Sequence, residues 1–547
     1  MAEDPYEVGR GSERAFWADA VADTVEARTP EEPIVIKGGV SPSGVPHIGH
    51  FNEIMRGYFV AETLRDRGHE VRQVFTADDR DRLRAVPRQL ADLDWNIVGL
   101  GEVDAGALGR NLGKPYTDIP DPFGCCDSYG AHFTNLLKKS ADLVGVDVAF
   151  VSNTELYRTG EFEPVTRRVL ERGDRARTVL EQYQNKVDDD YVPFVPQCEE
   201  CGVLTEGVTE VDLDSGEVHY VCTDVQAGEQ TIEGCGHEGV AGLRDGKLPW
   251  RFEWPGQWEI LGVDFEPFGK DHAEGSWPSG EDIAENVLDI QPPVPMVYEW
   301  FTLEGDPLSS SSGNVVTVDE VLEILEPEVF RYFFTKNPRK QRDFSVESVD
   351  QLVDEFDRFE AIYFGEDVEL RDESERELAE RAYPMVVDEP RAERVRIPYT
   401  FAAVLGMTED PGLRERIARK EGHIPEDAPA WAVKGALARV ERGQHWARRT
   451  GNEFDYELKR TELPDVEFDA DTRAALDELA DFVAGGHDGD EIQSEIYETA
   501  RRHDIDISEF FQAGYRLLFD DTEGPQLGQF MAKLDREFVV ERLRREA

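Results

Sequence analysis

Across 547 residues the chain carries 59 lysines and arginines against 115 aspartates and glutamates, a formal net charge of −56, which gives length for three or more domains and a surface that repels polyanions in dilute buffer. Acidic residues spread along the whole chain keep a protein hydrated in concentrated salt, where screening lengths shrink to a few ångströms, so a halophilic cytosol is expected in which local basic patches and shape decide contacts with RNA. No apolar run reaches eighteen residues and the acidic N-terminus is no signal peptide, which argues against a membrane-spanning helix and makes the expected location cytoplasmic.

The stretch from Pro33 to Gly68 reads as strand, glycine-rich loop and amphipathic helix. Ile34, Val35 and Ile36 form the short apolar run of a strand buried on both faces, and Gly38, Gly39, Pro42, Gly44 and Pro46 break it. Phe51, Ile54, Met55, Tyr58, Ala61 and Leu64 then recur at helical steps, with Gly68 as the stop. His47, Gly49 and His50 fall at the helix start, where free backbone N–H groups and the macrodipole favour a bound triphosphate. The two imidazoles can donate hydrogen bonds to phosphate oxygens, and Gly49 leaves room for a nucleotide; a metal-binding pair is the rival reading.

A second buried strand follows over Glu70 to Phe75, and Asp78, Asp79 and Asp81 stand beyond its carboxyl end, placed for an ammonium group or Mg²⁺ unless they form a solvated turn. From Lys114 to about Asp245 the strand–helix alternation is interrupted, which predicts an insertion. All six cysteines lie there, between 125 and 235, a distribution that suits metal binding better than a disulfide framework. DPFGCCDSYGAH brings Asp121, Cys125, Cys126 and His132 within twelve residues, four groups suited to tetrahedral Zn²⁺, although adjacent cysteines and a lone histidine also occur as plain packing. The second group is Cys198, Cys201, Cys222, Cys235 and His237, with Cys235 and His237 competing for the fourth position of a structural zinc ribbon.

After the insertion, KLPWRFEWPGQWEILGVDFEPFGKDHAEGSW is rich in aromatic, glycine and histidine residues and is expected to line a substrate pocket. Trp250 and Trp254 offer ring faces to an ammonium or its aliphatic stem, and Asp271 and His272 can accept hydrogen bonds; a place in the core is the alternative for the tryptophans. A strand-like run then leads to Ser309, Ser310, Ser311, Ser312, Gly313 and Asn314, a loop whose hydroxyls and amides can bind phosphate. Lys336, Arg339, Lys340 and Arg342 form the densest basic island, suited to RNA phosphates. A helical stripe from Val349 to Tyr363 and helices to the C-terminus complete the chain, with no further nucleotide motif.

The string PSGVPHIGH resembles the HIGH signature of class I aminoacyl-tRNA synthetases, and the order of the later motifs is similar to the class I lysyl-tRNA synthetase family over nearly the whole chain. The resemblance implies an α/β Rossmann-type catalytic domain with a zinc-containing insertion, followed by a mainly α-helical anticodon-binding region. The expected segments are 1–113 and 246–305 for the two Rossmann halves, 114–245 for the insertion, 306–365 for a KMSKS-like loop and stem-contact region, and 366–547 for the helical domain. It implies ATP and lysine as substrates with Mg²⁺, two zinc sites, and tRNA(Lys) as partner; oligomeric state stays open, a monomer included. His47 and His50 take the catalytic roles, and they share ATP with Gly49 and the loop from Ser309 to Gly313. Gly39, Ser41, Asp78, Trp250, Gly269, Asp271 and His272 are the expected lysine contacts. Two departures stand out: the KMSKS-like loop lacks its lysines, and Cys126 occupies a position where a histidine is more usual. A class I synthetase for another amino acid, such as glutamate or cysteine, or a non-charging zinc-containing RNA-binding paralogue, are the alternatives.

Overall fold

The first strand runs further than its glycines suggest. In a computed structural model, which describes residues 3–9, 14–184, 187, 188, 190–227, 230–308 and 315–546, β1 (Ile34–Val40) passes straight through Gly38 and Gly39. The reason is lateral: a Cβ on Gly39 would lie 2.3 Å from Thr76 Oγ1 on the next strand, so glycine lets the backbones keep their pairing and does not break it. Together with β2 (Val71–Ala77), β3 (Ala149–Ser152), β4 (Phe265–Gly269) and β5 (Val294–Tyr298), it forms a parallel sheet in the order β5-β4-β1-β2-β3. Strand order reverses at β1, and the crevice at the carboxyl ends of the strands flanking such a point is where open α/β sheets bind ligands.

Helix α1 (Ile48–Asp66) carries the chain from β1 to β2. The apolar positions read from the sequence are all buried, but so are Asn52, Arg56 and Thr63. The expected amphipathic helix is therefore one covered nearly all round. Arg56 is accommodated because its guanidinium donates to Asn52 Oδ1 at 2.9 Å and to the carbonyls of Phe334 at 2.6 Å and Lys336 at 3.1 Å, which satisfies a buried charge with fixed acceptors.

The span expected as one insertion, 114–245, is divided. Helix α2 (Tyr129–Val144) leads into β3, whose residues Ala149–Ser152 pair with Val74–Ala77 of β2. Part of that span thus belongs to the main sheet. The small antiparallel sheet of Val208–Asp212, Glu217–Val221 and Glu238–Gly242 lies between β3 and helix α3 (Trp250–Leu261).

The chain divides into two compact units: Met1–Val321, Pro327–Ser345 and Glu369–Asp388 form one, and Leu322–Glu326, Val346–Val368 and Glu389–Ala547 the other. The boundary expected at 366 is therefore not a single crossing of the chain. The second unit is helical throughout, and its α4 (Val349–Tyr363) buries Val349, Val353, Phe356, Phe359 and Ile362 as the stripe predicts. On α5 (Ala430–Thr450) Arg439 is almost wholly buried; it donates to Glu326 at 2.6 Å, to both oxygens of Asp357 at 2.6 and 2.9 Å, and to the Ile397 carbonyl at 3.0 Å. No helix among the described residues is long and apolar enough to cross a membrane.

Beneath the carboxyl end of the sheet, Lys37 on β1 donates to Glu266 Oε1 on β4 at 2.6 Å, and both side chains are nearly fully buried. Trp254 and Trp258 of α3 donate their indole N–H groups to the same carboxylate at 2.9 and 2.6 Å. Removing one partner of such a pair leaves a charge in low dielectric. Lys37→Met should lower the stability of the sheet-containing unit by about 3–5 kcal/mol, read as a drop in its denaturant midpoint in molar KCl; a midpoint equal to that of the parent chain would show the pair to be dispensable.

Candidate functional site

The carboxyl ends of β1, β4 and β5 open on a cavity of about 710 Å³. Its walls include Gly39 and Ser41 from β1 and its loop, His47, Gly49, His50 and Glu53 from the start of α1, and Asp78, Asp81 and Arg84 from the segment after β2. Trp250 of α3, Gly269, Asp271 and His272 after β4, and Tyr298 and Trp300 at the end of β5 complete them. Every lysine-contact residue expected from the sequence, and His47, Gly49 and His50, thus faces one space. Ser309, Ser310, Ser311, Ser312 and Gly313 lie outside the described residues; Leu308, which precedes them, lines the cavity.

His47 is the N-cap of α1, and its Nδ1 accepts from the Gly49 backbone N–H at 3.0 Å while His50 Nδ1 accepts from the His47 backbone N–H at 3.2 Å. This is a capping box built from two imidazoles, stacked with ring centroids 3.9 Å apart. Because each Nδ1 accepts, each neutral ring carries its proton on Nε2 as a donor. Burial lowers the pKa of both, His47 further by the charge of His50, and His50 is brought down to about 4. At neutral pH the pair therefore offers oriented N–H dipoles and no charge. Gly49 has a local explanation as well: a Cβ there would stand 2.7 Å from the His47 ring, so any other residue would break the cap.

Glu53, which sequence reasoning missed, sits one turn further along α1. Its Oε1 accepts from the Gly39 N–H at 2.6 Å and its Oε2 from the Tyr298 hydroxyl at 2.8 Å, and no lysine or arginine among the described residues forms an ion pair with it. Burial, strengthened by the charge of Glu266, raises its pKa to about 8 against the pull of the two donors and of Lys37. A polar residue on the apolar face of the helical pattern was the signal available. Asp78 is similar: Asn153 and Gln257 donate to its Oδ1 at 2.9 and 3.0 Å, no cation pairs with it, and burial, with help from the charges of Asp81 and Glu253, raises its pKa to about 7.

Neighbouring candidates have other work. Asp79 accepts from Ser152 Oγ at 2.6 Å and from the Thr154 N–H at 2.8 Å; it fixes the turn after β3 and does not face the cavity. Asp81 is paired with Lys247, which also reaches Glu253 at 2.7 Å. Trp254 is core, held by Glu266, whereas the half-buried Trp250 stacks on it at 5.3 Å and borders the cavity. His272 lies 3.5 Å from Asp271, and the exposed Trp300 donates to Asp271 Oδ1 at 3.3 Å while Lys270 covers its ring at 4.7 Å. In the basic island, Arg339 donates to the Val8 carbonyl, Lys336 lies 5.3 Å over the Tyr332 ring, Arg342 begins the short strand Arg342–Phe344, and Lys340 is exposed.

Both cysteine groups assemble. Ligand atoms of Cys198, Cys201, Cys222 and Cys235 all fall within 4.8 Å of one another, with Sγ separations of 3.6 Å between Cys198 and Cys235 and 3.7 Å between Cys201 and Cys222. All six cysteines are free thiols. Those separations match the edge of a ZnS₄ tetrahedron, about 3.8 Å for Zn–S bonds of about 2.3 Å. Of the competing residues, Cys235 joins the group; His237 turns away and pairs with Glu199 at 2.9 Å. The other cluster places Cys125 Sγ 3.8 Å from Cys126 Sγ and 3.4 Å from His132 Nδ1, which lies 3.2 Å from Asp121 Oδ1. His132 Nε2 is 2.8 Å from the Ala91 carbonyl, and the backbone N–H groups of Cys125 and Cys126 donate to Asp121 Oδ2, both at 2.7 Å. That leaves one lone-pair-bearing atom of each residue facing inward, with the partners beyond them that orient metal ligands.

The family model described as "tRNA synthetases class I (K)" matches residues 15–386. The chain is similar to the lysine–tRNA ligase of Haloarcula marismortui, with 83% identity over 100% of both chains, and to that of Natronomonas pharaonis, with 67% identity over 99% of both. Similarity extends to the lysine–tRNA ligase of Pyrococcus horikoshii, 32% identical over 97% of this chain and 99% of that one. A full-length match at these identities, joined to a family model that spans most of the sheet-containing unit, shows that the chain belongs to the class I lysine–tRNA ligases.

Proposed function

We propose that the cavity at the carboxyl ends of β1, β4 and β5 activates lysine with ATP and hands the lysyl group to tRNA(Lys). The observation that carries this reading is the pair of carboxyl groups, the half-buried Glu53 and the buried Asp78, that line the cavity with no cation paired to them among the described residues. A buried carboxylate without a counter-ion is costly, and a ligand with two ammonium groups repays that cost at both places. Lysine is such a ligand, and Trp250 lines the same space with a ring face for an alkyl stem or a cation. Gly39, Ser41, Gly269, Asp271 and His272 complete the amino-acid contacts.

In the first step a carboxylate oxygen of lysine bonds to the α-phosphorus of ATP, the bond from that phosphorus to the bridging oxygen breaks, and pyrophosphate leaves. The Nε2–H groups of His47 and His50 donate to phosphate oxygens as negative charge shifts onto the leaving group, with Gly49 holding their cap. In the second step a hydroxyl of the terminal ribose, the 2′-hydroxyl in a class I enzyme, attacks the lysyl carbonyl and AMP departs with the transferred proton. Mg²⁺ bound with the nucleotide supplies further charge neutralisation. The serine segment 309–312 and Gly313 are assigned to the pyrophosphate side, the island of Lys336, Arg339, Lys340 and Arg342 to tRNA phosphates, and the helical unit to the anticodon. The enzyme is placed in the cytoplasm, where its tRNA is. Structural Zn²⁺ is assigned to the four-thiolate group and to Asp121, Cys125, Cys126 and His132, where it ties loops together.

Replacing both His47 and His50 with alanine should lower lysine-dependent ATP–pyrophosphate exchange, measured with tRNA present in molar KCl, by at least about 10²–10³-fold; undiminished exchange would remove the histidine cap from the chemistry.

Glu53 gives a pH signature. Its carboxyl is held protonated up to about pH 8 in the empty site and must ionise to meet an ammonium. Lysine affinity should therefore rise with pH, by up to about tenfold per unit between pH 7 and 8 and more steeply below pH 7, where Asp78 must ionise as well, and level off above pH 8. Titration calorimetry in buffers of different ionisation enthalpy should show proton release on binding at pH 7, and Glu53→Gln should flatten the rise between pH 7 and 8, leaving the part that Asp78 contributes below about pH 7. A pH-independent affinity between pH 6 and 8 would assign the ammonium elsewhere.

For the metal sites, elemental analysis should find about two zinc ions per chain. Cys198→Ser should lose one of them and lower the thermal midpoint, whereas His237→Ala should retain both.

A further inference from the structure

The cavity's charge is one-sided. Among the described residues that line it, the acidic side chains are Glu53, Asp78, Asp81 and Asp271, of which Glu53 is held protonated at neutral pH, and the single lysine or arginine is Arg84. The two imidazoles of the cap bring no charge at neutral pH, because burial keeps them deprotonated. A polyanion such as a triphosphate entering this space meets donors but little positive potential, and the serine segment assigned to the pyrophosphate side has no lysine in the sequence.

Other cations close to the cavity are already committed. Lys37 is spent on Glu266, Lys247 on Asp81 and Glu253, and Lys270 on Glu299 at 2.5 Å. Arg80 is sunk onto the carbonyls of Gly246 and Arg244, each at 2.8 Å, and Arg82 meets Glu206 at 3.0 Å. Arg84 differs from all of these. Among the described residues no hydrogen bond or ion pair engages its guanidinium, although the chain carries 115 carboxylates with which it could pair. Arg84 is exposed at the cavity rim, and without an internal partner among the described residues its planar donor fork is available for an incoming anion.

We propose that Arg84 is the residue that binds the triphosphate of ATP and stabilises the departing pyrophosphate, the cationic task that the lysine-free serine segment cannot perform. The inference rests on the cavity being the ATP site. It assigns the cation to the loop after β2.

The test is equilibrium binding of Mg-ATP, adenosine and lysine, each separately, to the full chain and to Arg84→Ala and Arg84→Lys in molar KCl. Arg84→Ala should weaken Mg-ATP binding by about ten- to a hundredfold with adenosine and lysine binding unchanged, and Arg84→Lys should recover part of the loss. Pyrophosphate exchange should fall in the same order. Unchanged Mg-ATP affinity in Arg84→Ala would overturn the proposal, as would a loss shared equally by adenosine or confined to lysine. If the parent chain itself bound no Mg-ATP, the assignment of the cavity would fall first; if the parent binds it and Arg84→Ala does so equally well, only the role of Arg84 falls.

Discussion

The contact between Lys37 and Glu266 is the constraint on which the site depends. It joins β1 to β4 two or three residues before each strand delivers its glycine, Gly39 or Gly269, to the cavity. A pair this deeply buried is not chosen for raw stability, since two apolar residues of similar volume would cost less to bury. What it supplies is register and orientation. Glu266 has one oxygen shared by Lys37 and Trp254 and the other taken by Trp258, so α3 is fixed against the sheet by the same carboxylate that fixes the two strands. Trp250, one turn before Trp254 on that helix, is thereby set at the cavity wall. The negative charge of Glu266 also reaches Glu53 and raises its pKa, while Lys37 opposes it. The floor therefore shapes both the position and the protonation of the groups above it.

Above that floor the cavity is built from complementary incompleteness. Two carboxylates lack a cation, one guanidinium lacks an anion, and two histidines use their Nδ1 atoms internally so that Nε2–H is left for a ligand. Such preorganisation suits a reaction with no covalent enzyme intermediate, where rate comes from positioning and from dipoles already aimed at developing charge.

Much of this was legible in the sequence, and the failures have physical causes. The histidine pair at the helix start, Gly39, Asp78 and the aromatic segment around Trp250 were singled out from the sequence because motif order and turn chemistry leave local marks. Glu53 was missed because a polar residue on an apolar helix face is a weak mark by itself; its meaning comes from Gly39 and Tyr298, which are 14 and 245 positions away. Trp250 and Trp254 looked equivalent because they share a helix face, and only the carboxylate of Glu266 separates the core residue from the lining residue. The extent of the insertion was overestimated for a related reason: β3 is four residues long and partly exposed, so its pairing with β2 cannot be read from periodicity. For the zinc ribbon, spacing left Cys235 and His237 equal, and the hairpin geometry that turns His237 toward Glu199 resolves them.

The acidic surface changes how an RNA partner can be held. At the ionic strengths that a net charge of −56 implies, counterion release contributes little to binding, because the surrounding salt already competes for phosphates. Adding arginines would then gain little affinity, and the basic island around residues 336–342 is in fact partly used for internal contacts, with Arg339 on Val8 and Lys336 over Tyr332. Recognition has to come from terms that salt does not screen, namely stacking, hydrogen bonds to unpaired bases and fit to backbone shape. Within the cavity the logic inverts. There a guanidinium at the rim meets one ligand in a fixed place, so its donor fork acts by short-range hydrogen-bond geometry, which salt screens far less than it screens a long-range field.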